Sequence, residues 1–242
     1  MALLVLMYHR ARSGPLGNAP AMLDDHFGVI AGRHACVLPG ETLDPRRLNV
    51  CITFDDAYFD FYAVVFPLLK KHGLRALLAV PPVLVPDRVA ATAEARLQME
   101  PGVKYGRQNQ GGFCTWSELR EMAWSGHVDI ASHSLTHSRL TGPGVDLQSE
   151  VETSRHLLAT RLDRPVDSFV FPYGAFDRAV LHTVRCHCRH AFRIGGADNP
   201  GWDREILYRV DADRMDAPGA LFAPARLTAY RCRRFWNRLR RR

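Results

Sequence analysis

The chain has 242 residues, 47% hydrophobic and 24% charged, which is ordinary globular composition and enough for one large domain with a substantial core. The formal net charge of +7 is concentrated: residues 231–242 hold seven arginines and no acid, and without them basic and acidic residues balance at 25 each. A neutral body with a basic tail argues against a nucleic-acid-binding surface.

Leu3–Tyr8 reads as a buried strand, with His9 at its end. This apolar start is too short for a secretory leader, and no stretch approaches the length of a membrane span. A cytoplasmic location is therefore expected. Gly14, Pro15, Gly17 and Pro20 mark a loop, followed by a short helix around Leu23–Ala31 and a turn at Pro39-Gly40. Val50-Cys51-Ile52-Thr53-Phe54 is a second buried strand, with Cys51 as a small hydrophobe, and it ends in Asp55-Asp56.

Apolar residues recur at helical spacing from Tyr58 to His72, with Gly73 as the stop, and Arg75–Val80 is the next strand. Residues 83–112 carry several Gly and Pro and an Ala-rich piece suited to a short helix; they fit a covering loop or a disordered excursion. Thr115-Trp116-Ser117-Glu118 has capping-box form and starts a helix to about Ser125. Strands follow at His127–Ala131, Ser168–Phe171, Ala191–Ile194 and Leu207–Val210. Helices are expected at Asp146–Leu162 and Asp177–Cys188, and Pro224 opens a last amphipathic helix. The six cysteines show no framework spacing, which points to reduced thiols.

Strands alternating with helices imply a parallel sheet with crossovers, and about seven strands over this length predict an α/β fold, a distorted and nearly closed (β/α) barrel. In such barrels chemistry sits at the C-terminal ends of the strands. His9, Asp55-Asp56, His133 with His137, and Pro172-Tyr173 all directly follow predicted strands. His133 and His137 are four apart, so one helical turn would bring both imidazoles to one side. Two imidazoles and a carboxylate form a common set for a divalent metal that leaves positions open for water and substrate. In Cys186-His187-Cys188-Arg189-His190, by contrast, alternate positions on a helix face different sides and do not converge on a metal.

Thr53-Phe54-Asp55-Asp56 together with Ser132-His133-Ser134-Leu135-Thr136-His137 resembles the first two motifs of the polysaccharide deacetylases, the NodB-homology or carbohydrate esterase family 4 domain. Phe171-Pro172-Tyr173-Gly174 resembles the third. Leu6-Met7-Tyr8-His9 has the form of the family's C-terminal Leu-x-x-His, placed at the other end of the chain. That arrangement is similar to the circularly permuted branch acting on poly-N-acetylglucosamine. The resemblance covers roughly residues 3–211 and implies a metal-dependent hydrolase that removes N-acetyl groups from an N-acetylhexosamine-containing polysaccharide or lipid-linked glycan.

It further implies that Asp56, His133 and His137 hold one divalent ion, with zinc expected, and that Asp55 is the general base and His9 the general acid. The Tyr173 backbone N–H would help stabilise the oxyanion beside Pro172. Ala57 stands where the family usually has Gly, which suggests that no glycine-only conformation is needed there. Val170 stands where an Arg often begins the third motif, so Asp55 must be oriented from elsewhere; Asp211, Asp213 and Asp177 are candidate partners for His9.

Trp116 and Trp124 are read as core, and Trp202, beside Gly201, as a residue placed to stack on a pyranose ring. The catalytic unit is expected over residues 1–222, with a basic helix or tail over 223–242 whose arginines alternate with Phe235, Trp236 and Leu239. That tail suits peripheral contact with an anionic inner membrane face, as against a merely solvated terminus. Rival readings are a catalytically silent glycan-binding component of a synthesis complex, and the same chemistry on peptidoglycan, chitin oligomers or a small cyclic amide.

Overall fold

The computed structural model describes residues 2–99 and 107–239; stretches 100–106 and 240–242, which belong to the expected covering loop and basic tail, lie outside the described residues. Its strands are β1 (Leu3–Tyr8), β2 (Ala35–Cys36), β3 (Asn49–Phe54), β4 (Ala76–Val80), β5 (Val128–Ser132), β6 (Ser168–Val170), β7 (His190–Ile194) and β8 (Leu207–Asp211). Its α-helices are α1 (Pro20–Arg33), α2 (Phe66–His72), α3 (Ala93–Gln98), α4 (Trp116–Trp124), α5 (Ser154–Leu162), α6 (Arg178–His187) and α7 (Pro224–Leu239).

All strand pairings between these elements are parallel, and seven of the strands close into a barrel. Closure is made by β1, which pairs with β3 from Leu3↔Asn49 to Tyr8↔Phe54 and with β8 from Val5↔Arg209 to Met7↔Asp211. The two-residue β2 lies outside this ring, alongside the start of β3. The ring is uneven: β5 and β6 meet through the single pair Ser132↔Phe169, which loosens that seam.

Side chains alternate along a strand, so each strand feeds two different environments. The odd positions Leu3 and Val5 of β1, Cys51 of β3, Leu77 and Ala79 of β4, Ala131 of β5 and Leu207 of β8 form one apolar cluster inside the barrel, joined by Val170 and Phe192. The intervening positions, such as Leu4, Leu6 and Tyr8, Val50, Ile52 and Phe54, and Leu78 and Val80, pack outward against the helices. Ile52 and Leu78 are fully buried there, and truncating either to Ala would cost about 2–5 kcal/mol. Continuing the inward parity past the strand ends leads to His9, Asp55, His133 and, within β8, Arg209. The same alternation that fills the barrel floor with apolar groups therefore aims charged ones into its mouth.

Local signals account for the helix boundaries. Thr115 Oγ1 accepts from the Glu118 N–H (3.3 Å) and Glu118 Oε2 accepts from the Thr115 N–H (2.7 Å), a complete capping box at the start of α4. Asp177 caps α6 through the Val180 N–H (2.9 Å), and Gly73 ends α2 in the left-handed conformation, φ 63°. The helices expected over Tyr58–His72 and Asp146–Leu162 each open with a wider π turn, at Phe61–Val65 and Ser149–Thr153. Helix α1 is longer than expected, because Pro20 serves as its first residue.

The insertion after β4 is anchored in its described part. Arg96 of α3 donates to both Glu118 carboxylate oxygens (2.6 and 3.0 Å) and to the Gly111 and Phe113 carbonyls, and its guanidinium lies 3.5 Å from the centre of the Phe59 ring. Trp116 is buried as expected, whereas Trp124 is 58% exposed, held by its indole N–H on the Leu162 carbonyl (3.1 Å). All six cysteines are free.

Candidate active site

At the end of β3 the chain leaves the barrel through Asp56 (φ 73°) and Ala57 (φ 55°), both left-handed. Ala57 thus adopts the conformation for which glycine is usual, and the expectation that none was needed is corrected; the turn is made at a cost of about 1 kcal/mol. Ser134 (φ 60°), His137 (φ 62°) and Tyr173 (φ 57°) share this unfavourable region. Strained non-glycine residues gathered in the loops at one barrel mouth mark a functional site.

His133 and His137 converge, but not on a helical turn. The segment after β5 is a loop, and the two left-handed residues swing both rings inward. Their ring centres are 4.8 Å apart. Asp56 Oδ1 lies 3.1 Å from His137 Nε2 and 3.7 Å from His133 Nε2. Among the described residues these three form the one group of His, Cys, Asp and Glu able to hold a metal, with donor atoms within 4.8 Å of one another. All three side chains are buried.

The donor set fits a divalent ion. His133 Nδ1 lies 2.8 Å from the Val170 carbonyl. A proton on Nδ1 donated there leaves the Nε2 lone pair facing Asp56. Burial lowers the His133 pKa to about 4, so the ring is neutral near pH 7 and free to ligate. Burial would raise the Asp56 pKa, yet the His137 hydrogen bond and the charges of His137, His133 and His9 hold it well below the usual carboxylate range.

Asp55, the neighbouring acid, has a partner of its own. Arg209 grips it in a fork, Nη1 to Oδ1 at 2.6 Å and Nη2 to Oδ2 at 2.8 Å, and Nη1 also reaches Thr53 Oγ1 (3.2 Å). This is the orienting group missing at Val170, supplied from β8. Both partners are nearly completely buried. Against the burial that raises it, the Arg209 charge lowers the Asp55 pKa, so the group is a carboxylate at neutral pH.

His9 faces the same carboxylate, with Nε2 3.8 Å from Asp55 Oδ2. Its other nitrogen, Nδ1, lies 2.6 Å from Asp213 Oδ2, and its backbone N–H donates to Asp213 Oδ1 (3.2 Å). Of the three acids considered as partners, Asp213 is the one in place. Burial opposes protonation of His9, but the Asp213 hydrogen bond and the charges of Asp55, Asp213 and Asp56 outweigh it and raise its pKa to about 9.

Tyr173, in the turn Pro172–Gly174 after β6, sets its ring edge-on to His137 at 4.9 Å and is 53% exposed, while Pro172 is buried. Trp202 lies elsewhere. It is 8% exposed, packs among the apolar barrel residues and donates its indole N–H to the Glu41 carbonyl (2.9 Å), next to the segment that bridges Leu3 and Asn199 at the start of β1. It closes the opposite end of the barrel, and a stacking role at this site is ruled out by that placement.

One further group had no prior signal. Glu150, in the π turn before α5, is 8% exposed. Its Oε2 accepts from the Leu135 (2.9 Å) and Thr136 (3.0 Å) backbone N–H groups and its Oε1 from Thr136 Oγ1 (2.6 Å). It thereby clamps the loop between the two histidines. An isolated acid in a helical stretch reads as surface, so spacing offered nothing. Arg209 did leave a trace: a lone cation inside an otherwise apolar predicted strand demands a buried partner.

A profile of the family described as polysaccharide deacetylase matches residues 43–187. The candidate polysaccharide deacetylase YxkH of Bacillus subtilis (strain 168) is 24% identical over 207 residues, covering 81% of this chain and 64% of its own length. The chain thus spans less than two thirds of that relative. Over a shorter stretch of 87 residues it is 36% identical to the poly-beta-1,6-N-acetyl-D-glucosamine N-deacetylase of Escherichia coli (strain K12), covering 35% of this chain and 12% of the other. Among solved structures, IcaB from Ammonifex degensii superposes with a TM-score of 0.71 at 22% identity, covering 88% of this chain and 92% of that one.

Proposed function

The chain belongs to the polysaccharide deacetylase family, and we propose that it hydrolyses N-acetyl groups of an N-acetylhexosamine-containing glycan, releasing acetate and a free amino sugar. One observation carries this reading: Asp55 and His9 flank the Asp56–His133–His137 group with their nitrogen and oxygen atoms 3.8 Å apart.

An amide carbonyl is a poor electrophile and water a poor nucleophile; a divalent ion held by Asp56, His133 and His137 would polarise the first and lower the pKa of the second. Two imidazole nitrogens and one carboxylate oxygen suit zinc. Asp55 accepts the water's proton, and Arg209 keeps its carboxylate aimed and ionised. The Tyr173 backbone N–H donates to the carbonyl oxygen as it gains negative charge. The amine has to leave protonated, and His9, cationic up to about pH 9 beside Asp213, supplies that proton from Nε2. Atoms balance: water's hydroxyl ends on acetate and its proton on the carboxylate, while the imidazolium proton ends on the amine.

The 87-residue likeness to the Escherichia coli poly-beta-1,6-N-acetyl-D-glucosamine N-deacetylase supports a β-linked N-acetylglucosamine polymer as substrate. Acetate release from poly-β-1,6-N-acetylglucosamine, chitin oligomers and peptidoglycan, each with added zinc and after chelation, tests the reading. Activity that zinc restores and Asp55→Asn abolishes is expected. Persistent activity in Asp55→Asn would remove Asp55 as the base. No acetate from any substrate by zinc-loaded protein would favour a silent glycan-binding protein.

A further inference from the structure

Helix α7 turns its apolar face away from the protein. Its packed side is formed by Leu227, Tyr230, Arg234 and Asn237, three or four residues apart. Arg234 pairs with Asp198 (3.3 Å) and Asn237 Nδ2 donates to the Gly195 carbonyl (3.1 Å). At about 100° per residue, Thr228, Cys232, Phe235, Trp236 and Leu239 share one arc on the opposite side, and it contains no charge. Phe235, Trp236 and Leu239 are 62%, 61% and 46% exposed. Arg231 borders this arc on one side, and Arg226 and Arg233 on the other.

An apolar stripe facing solvent between rows of arginine is the pattern of a helix lying in a membrane interface, with its stripe among the acyl chains and the guanidinium groups at the headgroups. A core helix would show the reverse arrangement. From Ala217 onward the chain has no acid, so the flanks carry positive charge alone. That charge also argues against a second copy of the chain as occupant: an isologous pairing of this face would set arginines against arginines. An anionic lipid surface complements both stripe and flanks. We propose that α7 docks this protein on anionic bilayers through Phe235, Trp236 and Leu239.

The helix sits on the rim that carries the active site. Gly195 and Gly196, on which Asn237 and Arg233 rest, directly follow Ile194 at the end of β7. Ile194 is 41% exposed and abuts Gly174, where an added Cβ would come within 3.3 Å of it; next in the chain is Tyr173, beside His137. Docking would hold that rim close to the lipid surface, which suits a membrane-linked glycan. This last consequence rests on the deacetylase reading; the docking does not.

Co-sedimentation with vesicles of phosphatidylglycerol and phosphatidylcholine, against phosphatidylcholine alone, tests it without reading activity. The full-length protein should bind the anionic vesicles, release as salt rises, and bind the neutral ones at least about tenfold more weakly. The double variant F235S/W236S should lose about tenfold or more in binding. Because both side chains are exposed, its melting temperature and acetate release on a soluble substrate should stay unchanged. A second variant, Arg231→Glu, should weaken binding with the stripe intact. Equal vesicle binding by wild type and F235S/W236S overturns the proposal. So does a wild type that ignores vesicles, including one found by sedimentation velocity to dimerise until the stripe is removed.

Discussion

Arg209 and Asp55, 154 residues apart in sequence, form two parallel hydrogen bonds of 2.6 and 2.8 Å inside the barrel mouth. The fork fixes the plane of the carboxylate, which a point charge cannot do. Arg209→Met would leave Asp55 buried without its counter-charge. We expect a stability loss of about 3–5 kcal/mol, read by urea denaturation. Arg209→Lys should fold better but lose the fork, lowering kcat more than it raises KM. An Arg209→Met protein as stable as wild type would show that the pair has no structural weight.

The His9–Asp213 contact predicts the alkaline limb of activity. His9 is raised from an ordinary value near 6.5 to about 9. The imidazolium needed to protonate the amine therefore persists at neutral pH and is lost as pH rises through about 9; a bound divalent ion, being positive, moves that limb lower. Asp213→Asn removes one negative charge and leaves a single acceptor oxygen for the two His9 nitrogens, so the limb should shift down by about one unit or more. The same shift stabilises the fold below pH 6.5 and ceases to do so as pH rises past about 9. The melting-temperature deficit of Asp213→Asn should accordingly be larger at pH 6 than at pH 10. A pH–rate profile identical in both proteins would exclude His9 as the titrating acid.

Glu150 touches neither the metal group nor Asp55, yet it holds the backbone of Leu135 and Thr136 between the two histidines. Glu150→Ala removes the acceptors of the Leu135 and Thr136 backbone N–H groups and of the Thr136 hydroxyl at once. The loop should lose its grip, and zinc affinity should fall about 10- to 100-fold, as read by calorimetric titration. Unchanged zinc affinity would make Glu150 a purely structural anchor.

Much of this fold was legible because the strands are short apolar runs set off by turn residues, and α4 and α6 open on explicit caps, Thr115 with Glu118 and Asp177. The C-terminal strand ends then gathered His9, Asp55, Asp56, His133, His137 and Tyr173 by topology alone. What stayed hidden has physical reasons. Strands of a parallel barrel are buried on both faces, so Leu3–Tyr8 and Val50–Phe54 read as unbroken apolar runs, and the inward parity that selects Arg209 was invisible. Glu150 acts across a loop, where no period links it to the groups it holds, and for the same reason Asp213 is only one of three candidates for His9 until the fold selects it. Trp202 looked like a loop aromatic because nothing local reveals that its loop returns to the barrel floor. The last helix reads as amphipathic, but which of its faces is packed depends on the Gly195–Asp198 segment it meets.

Ala57 offers a test of how strain is stored at the site. Its φ of 55° is unfavourable for any residue with a Cβ, but its methyl group is fully buried in the outer core and its carbonyl accepts from the Cys114 N–H (2.8 Å). Ala57→Gly would relieve about 1 kcal/mol of backbone strain and give up about 0.8 kcal/mol of methyl burial. The two nearly cancel, so the urea midpoint should barely move. Ala57→Val adds both a branched Cβ at positive φ and volume in a filled space, costing about 2 kcal/mol or more. If Val were tolerated as well as Gly, the turn after Asp56 would have to relax out of the left-handed region. Asp56 would then move with it, and zinc affinity measured on the same variant would fall.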